Sequence, residues 1–450
     1  MEPFKIYEVD QPELLFNNGE KAFNPYEGLK NYGPVDLSHR NFRSINAYII
    51  YPRKKQRIVN SFIDRLKKSA ENLLKIEFNV KIEIPVEDDI LYSRKNIEKN
   101  IEKYIELFEE KVNNIEDNDI VIQFLNNKIS KIEESPYFQL RIRALGRKNP
   151  VPVQTILIPK IYLDPHDKNY YKKKRRLSGV ANNTILGIYA KVGGKPWFLL
   201  NNVSNLFERV LYIGYDISRR FKTRDGKKIP RTGTAIVYDN NGQYIYFTKY
   251  ELQAEDEVIS KESMINFLRN IIRDARKNNG DLDAIVIHRD GEIYDEEISA
   301  INEISKTEDF SVIIEAFPKK SFPILELSNN NLSTYAQPGI YFYAGKQLIR
   351  NNELYDTFFM QTFSFRGAKG RKVNMLKYRF ISAKNISNIK RDDILKDIAR
   401  QNFYLSRLNW STALGVAKSP VTVHYAHKAS KLLSSGLQPQ FLREDKLYML

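Results

Sequence analysis

A chain of 450 residues has room for two or three domains, each with its own core, and 42% hydrophobic with 12% aromatic residues excludes a disordered polymer. The absence of cysteine excludes disulfides and thiolate metal sites, no apolar run of about 18 residues marks a membrane span, and Met1-Glu2-Pro3-Phe4-Lys5 lacks the order of a signal peptide, so a cytoplasmic location is expected. A formal net charge of +16 favours polyanionic partners, of which nucleic acid is the commonest soluble one.

Residues 1 to about 45 hold turn formers and short apolar pieces, as in an extension packed on a larger body. Residues 44–50 then read as a strand, and 59–74 as a helix with Phe62, Leu66, Ala70 and Leu73 on one side. Residues 75–84 alternate like a strand, 96–112 form a second helix, and 119–124 a short apolar strand. Strands alternating with helices predict a parallel α/β sheet, so this block is Rossmann-like. No glycine-rich dinucleotide fingerprint follows its strands, and no nucleotide cofactor is expected.

Ser135-Pro136-Tyr137 reads as a helix start, with Ser135 as N-cap and Pro136 at the first helical position. Tyr137 and Arg141, four apart, share one face. Gln154 opens the apolar run 155–158, a buried strand. The basic run Lys172-Lys173-Lys174-Arg175-Arg176 interrupts the pattern and reads as a solvated loop, placed where it can also attract a phosphate backbone. Lys191 falls in the last turn of a helix over 183–191, closed by Val192-Gly193-Gly194. The phenol, guanidinium, amide and ammonium of Tyr137, Arg141, Gln154 and Lys191 would together make a terminal-phosphate pocket.

After Trp197 the pattern changes. Residues 209–217 form a strand, 232–238 and 244–249 a hairpin around Asn240-Asn241-Gly242, 261–277 a helix, 282–288 a buried strand and 293–304 another helix. Strand, hairpin, helix, strand is the order of an RNase H-type core. Asp216 and Asp290 end two of these strands, and if the strands are neighbours the carboxylates meet on one sheet face. Such hard oxygen ligands suit Mg²⁺ or Mn²⁺ and two-metal phosphodiester hydrolysis. Taken alone, each aspartate is more simply a turn residue at a strand end.

The Tyr137, Arg141, Gln154, Lys191 spacing resembles the guide 5′-end pocket of the Argonaute MID domain, whose pattern is Tyr, Lys, Gln, Lys; Arg141 keeps the charge but offers a planar fork. Tyr189-Ala190-Lys191-Val192-Gly193-Gly194-Lys195-Pro196-Trp197 is similar to the family's MID–PIWI junction. Gly28-Leu29-Lys30-Asn31-Tyr32-Gly33-Pro34 resembles the segment before the MID domain of archaeal short Argonautes, and Pro420-Val421-Thr422-Val423-His424-Tyr425-Ala426-His427 the closing PIWI helix. The match runs from about residue 28 to the end. It implies an N-terminal extension (1–45), a Rossmann-like MID domain (46–196) and an RNase H-like PIWI domain (197–450), in a chain too short for the N and PAZ domains.

The resemblance also assigns roles. His427 would complete an Asp-Glu-Asp-His set with Asp216 and Asp290, and His424 could exchange with it. The glutamate would be Glu257, with Glu255 as substitute, from an acidic stretch that equally suits a helix N-terminus. Arg366, Lys369 and Arg371 lie in a glycine-spaced loop similar to one that touches guide phosphates. The carboxylate of Leu450 would coordinate a metal beside the guide phosphate. Short family members typically lack a working tetrad, so the implied function is binding without cleavage: a 5′-phosphorylated RNA or DNA guide pairs with a complementary target, DNA favoured. The setting would be defence against invading nucleic acid, through a separately encoded effector protein. A metal-dependent guided endonuclease is the alternative, and an unguided RNase H-like nuclease or scaffold a third reading.

Overall fold

The computed structural model describes residues 6–87, 97–112, 114–125, 136–164, 166–217, 231–252, 259–318, 338–348, 354–362, 375–386, 389–413, 415–434 and 446–448. Two compact units divide the chain, one built mainly from Leu14–Trp197 and the other mainly from Phe198–Asn409 and Gly415–Ser434.

The first unit begins with α1 (Pro25–Tyr32), whose N-cap Asn24 accepts from the Tyr26 amide and whose first position is Pro25. Its sheet has four parallel strands, β1 (Ser44–Pro52), β2 (Glu77–Val86), β3 (Asp119–Leu125) and β4 (Val153–Leu157), in the order β2-β1-β3-β4. Every residue of β3 is buried, as expected of a central strand covered on both faces. Helix α2 (Gln56–Ser69) sends Phe62 against Phe124 of β3 on one face. On the other, α3 (Ile97–Lys111) and α4 (Pro136–Leu145) bring Tyr104, Phe108 and Leu140 against Tyr48, Ile50 and Val121.

The last helix of this unit, α5 (Tyr170–Lys191), is much longer than the stretch 183–191 expected from the sequence. The basic run is therefore its N-terminal end and not a loop. Apolar periodicity begins only at Leu177 and continues through Ala181, Ile185 and Ile188, all buried. Residues 171–176 are exposed at every position, so no core-facing pattern marks them as helical. Lysine and arginine nonetheless favour helix intrinsically, and the turns packed behind them propagate it.

The second unit carries a nine-stranded sheet. One end of it is the antiparallel meander β5 (Val210–Ile217), β6 (Arg231–Tyr238) and β7 (Tyr244–Leu252), with β7 at the edge. Beside β5 lie β8 (Ala284–Asp290) and then β9 (Ser311–Phe317), both parallel to it in direction. Antiparallel strands β12 (Leu376–Lys384), β11 (Leu354–Met360), β10 (Ile340–Leu348) and the short Ile6–Glu8 extend that side. This is the RNase H-like arrangement.

One face of this sheet packs against α6 (Lys261–Asn279) and α7 (Asp295–Thr307). Leu211, Ile213 and Tyr215 alternate along β5 into a core with Phe267, Leu268, Ile271, Ile301 and Ile304. The opposite face meets α9 (Val421–Ser434), while α8 (Arg391–Leu405) precedes it in the chain. Among the described residues, no helix is long and apolar enough to cross a membrane.

Candidate functional site

Strands β5 and β8 are neighbours, and their register brings the two aspartates together. Gly214 pairs with His288 and Tyr215 with Arg289, so Asp216 and Asp290 follow side by side, one step beyond. In-register residues of adjacent strands point to the same face, which here is the face of α9. Helix α9 can lie that close because Gly214 has no side chain. A Cβ there would stand 2.3 Å from the carbonyl carbon and oxygen of Thr422. The Thr234 hydroxyl of β6 donates to the main-chain carbonyls of both Asp216 and Ala426, at 3.3 and 3.2 Å, tying strand to helix.

This contact presents His427. Its Nδ1 lies 3.2 Å from Asp216 Oδ2 and 3.0 Å from Asp290 Oδ2. Hydrogen bonding to Asp216, and then to Asp290, outweighs burial and raises its pKa to about 9. A protonated imidazole therefore holds the two carboxylates together. His424, three residues earlier, is pushed down to about 3 by burial, with Lys428 and His427 adding repulsion. Of the two histidines open from the sequence, His427 meets the aspartates.

One ligand atom from each of Asp216, Asp290 and His427 lies within 4.8 Å of the others. Two carboxylates and an imidazole fit a hard divalent cation of the Mg²⁺ or Mn²⁺ type, which needs few protein ligands and keeps water. Binding such an ion would require His427 to give up its proton.

Two buried polar constellations support the cluster, and neither is evident in the sequence. Arg289 turns to the opposite face, where its guanidinium lies 5.2 Å from the Tyr215 ring centroid and its Nε donates to Glu297 Oε1 at 3.2 Å. Its Nη1 donates to the Asp290 carbonyl at 2.6 Å and stands 3.5 Å from Asp216 Oδ1. Burial opposes the charge of Arg289, but Glu297, with Tyr215, Asp216 and Asp290, prevails and holds it charged. Burial likewise raises the Glu297 pKa against the pull of Arg289, while its other oxygen accepts the Tyr294 amide at the start of α7. Behind Asp290, His288 Nδ1 lies 2.7 Å from Thr422 Oγ1 and its Nε2 lies 3.5 Å from Glu315 Oε1. Glu315 accepts from Asn402 at 2.6 Å, linking β8, β9, α8 and α9 through the core.

In the first unit, three of the four expected phosphate-binding residues meet at the start of β4. Lys191, fully buried, donates to Gln154 Oε1 at 2.6 Å and to the Val153 carbonyl at 3.0 Å. Arg141 Nη2 donates to the same carbonyl at 3.4 Å. Tyr137 stands in the first turn of α4, one turn ahead of Arg141; its side chain, with Ser135, is outside the described residues. Gly194 closes the turn after α5 tightly, since a Cβ there would fall 2.4 Å from the Tyr189 ring. Near this turn, Lys446 lies 3.7 Å from where a Cβ of Gly193 would sit and donates to the Asp117 carbonyl, and the following Leu447 and Tyr448 are buried.

Glu255, Glu257, Arg366, Lys369, Arg371 and Leu450 lie outside the described residues.

The family model for the Piwi domain matches residues 147–438. The chain is similar to the Argonaute of Aquifex aeolicus, 24% identical over 347 residues that cover 75% of this chain and 42% of that protein. The Argonaute of Cereibacter sphaeroides is 22% identical over 454 residues, 94% of this chain and 55% of that protein. The chain thus spans about half the length of these curated relatives. Among solved structures, Drosophila Piwi aligns with a TM-score of 0.67 at 15% identity, covering 99% of this chain and 56% of that one. Clostridium butyricum Argonaute, solved with a guide DNA and a 19-mer target DNA, aligns with a TM-score of 0.67 at 18% identity over 99% of this chain and 55% of its own.

Proposed function

The chain belongs to the Piwi-domain family of Argonaute proteins, and from that premise we propose that it binds nucleic acid through a guide strand anchored by its 5′ phosphate. The observation that carries this reading is the meeting of Arg141, Gln154 and buried Lys191 around the Val153 carbonyl. A guanidinium and an ammonium fixed in a folded unit supply charge-assisted hydrogen bonds to a phosphate without new ordering cost. Tyr137, one turn from Arg141, completes the pocket. Residues 46–196 act as the MID domain, with 1–45 as extension, and 197–450 as the PIWI domain. Burial of Leu447 and Tyr448, after a Lys446 placed beside Gly193, supports a docked tail from which the Leu450 carboxylate reaches a metal at the guide phosphate.

The guide, RNA or DNA, pairs with a complementary target, and Arg366, Lys369 and Arg371 hold backbone phosphate without reading sequence. Recognition rather than cleavage is the output, passed to a separately encoded effector in defence against invading nucleic acid. Short strands that co-purify with the chain test this. They should accept a kinase-transferred 5′ label only after phosphatase treatment; strands labelled equally without phosphatase would overturn the anchoring role.

A second reading, guided cleavage, is favoured by one observation: Asp216, Asp290 and His427 converge within 4.8 Å. A bound divalent cation would supply Lewis-acid stabilisation of the scissile phosphate. The two aspartates would hold it, His427 would release its proton on binding, and Glu257 would close the set. Guided cleavage in Mg²⁺ or Mn²⁺ that vanishes in Asp216→Ala would establish this reading over the first.

A further inference from the structure

The basic run is the exposed N-terminal end of α5 and takes no part in the phosphate pocket at the other end of the same helix. Lys172 and Lys191 are about 28 Å apart along the axis, at 1.5 Å per residue. All six residues from Tyr171 to Arg176 are exposed, so their side chains are open to solvent. The charge arrangement opposes helix stability. Lysines and arginines crowd the positive end of the helix dipole with no acid in the first turn. Lys172 also faces Arg175 and Arg176 at like-charge spacings of three and four. Asp167 pairs with Lys173, but Lys172, Lys174, Arg175 and Arg176 have no acidic partner among the described residues. Aromatic rings share this end: Tyr171 is 83% exposed and stands edge-on to the Tyr170 ring at 5.5 Å, and the Lys174 ammonium lies 5.9 Å from the Tyr170 centroid. Cations interleaved with exposed aromatics match a single strand, whose phosphates take the charges and whose unpaired bases stack on the rings.

We propose that this end of α5 binds the single-stranded 3′ flank of the target, beyond the guide 5′ end; the proposal rests on the guide-anchoring reading above. Antiparallel pairing places the target's 3′ side at the anchored guide end, in the unit that carries the patch. Guide bases are occupied by pairing, whereas flanking target bases are free to stack.

The test uses the full chain loaded with a 5′-phosphorylated oligonucleotide guide. Targets end flush with the guide 5′ end, or carry a 3′ or a 5′ flank of about ten nucleotides, enough at about 3.4 Å each to span the 28 Å. The 3′ flank should tighten binding about tenfold at low salt, and the 5′ flank should not. Combined Lys172→Gln, Lys174→Gln, Arg175→Gln and Arg176→Gln should abolish the gain and flatten the log–log salt slope by about 2 to 3. Tyr171→Ala should remove part of the gain with the slope kept. Equal affinity for flush and 3′-flanked targets, equal gain from either flank, or a gain surviving the fourfold substitution would overturn the proposal. Failure of the parent reading shows separately, as a guide bound equally with and without its 5′ phosphate.

Discussion

Gly214 of β5 lies directly beneath the main chain of Thr422, and this contact sets the height of α9 and so the position of His427. The 2.3 Å left for a Cβ is bounded by backbone atoms, which cannot turn aside as a side-chain tip would. Gly214→Ala should therefore lift the helix, costing about 1–3 kcal/mol of stability, with Gly214→Val costing more. Chemical denaturation would read the loss, and Mn²⁺ titration should show weakened metal binding in the alanine variant while it is still folded.

The raised pKa of His427 predicts a pH dependence with a definite sign. In the metal-free chain its folded value of about 9 exceeds the ordinary 6.5, so its stabilising charge is complete below about 6.5 and is lost as pH rises through about 9. Thermal midpoints in chelator should fall across that window, and His427→Gln should flatten the fall. Mg²⁺ or Mn²⁺ competes with the same proton, so the stabilisation gained from added metal should grow over the same rise in pH.

Lys191 is buried and holds Gln154 and the Val153 carbonyl. Lys191→Met should lower affinity for a 5′-phosphorylated strand by about 10- to 100-fold, the worth of charge-assisted hydrogen bonds, and leave a 5′-hydroxyl strand almost unaffected. Paired fluorescence-anisotropy titrations would separate the two effects.

The Arg289–Glu297 pair is a structural device for the same centre. Glu297 is fully buried and Arg289 nearly so, and removing one partner strands the other's charge. Glu297→Ala should cost about 3–5 kcal/mol. Arg289→Met with Glu297→Leu should recover much of that, which denaturant midpoints would measure.

The sequence carried the main elements of both units because their apolar runs are strongly periodic. Asp216 and Asp290 were legible as polar residues ending buried strands, but that their strands are neighbours stood as a condition until the pairing of β5 with β8 met it. His427 was legible only through the family resemblance, since a helical histidine carries no marker of its target. The N-terminal half of α5 escaped because its exposed lysines and arginines have no apolar face, and helix there depends on turns packed further along. Gly214 hid within an apolar strand, although an isolated strand glycine is itself a sign of close backbone approach. Glu297 is one of three acids in the first turn of α7, and nothing local marks it or Arg289 as a buried pair. Such buried ion pairs are made by tertiary packing, and short-range patterns do not record them.

The most direct measurement is the affinity of the full chain for one guide sequence carrying a 5′ phosphate or a 5′ hydroxyl, titrated under identical salt. The pocket of Arg141, Gln154 and Lys191, with Tyr137 one turn away, predicts binding at least about tenfold tighter with the phosphate, a difference removed by Lys191→Met. Equal affinity for the two ends would contradict it.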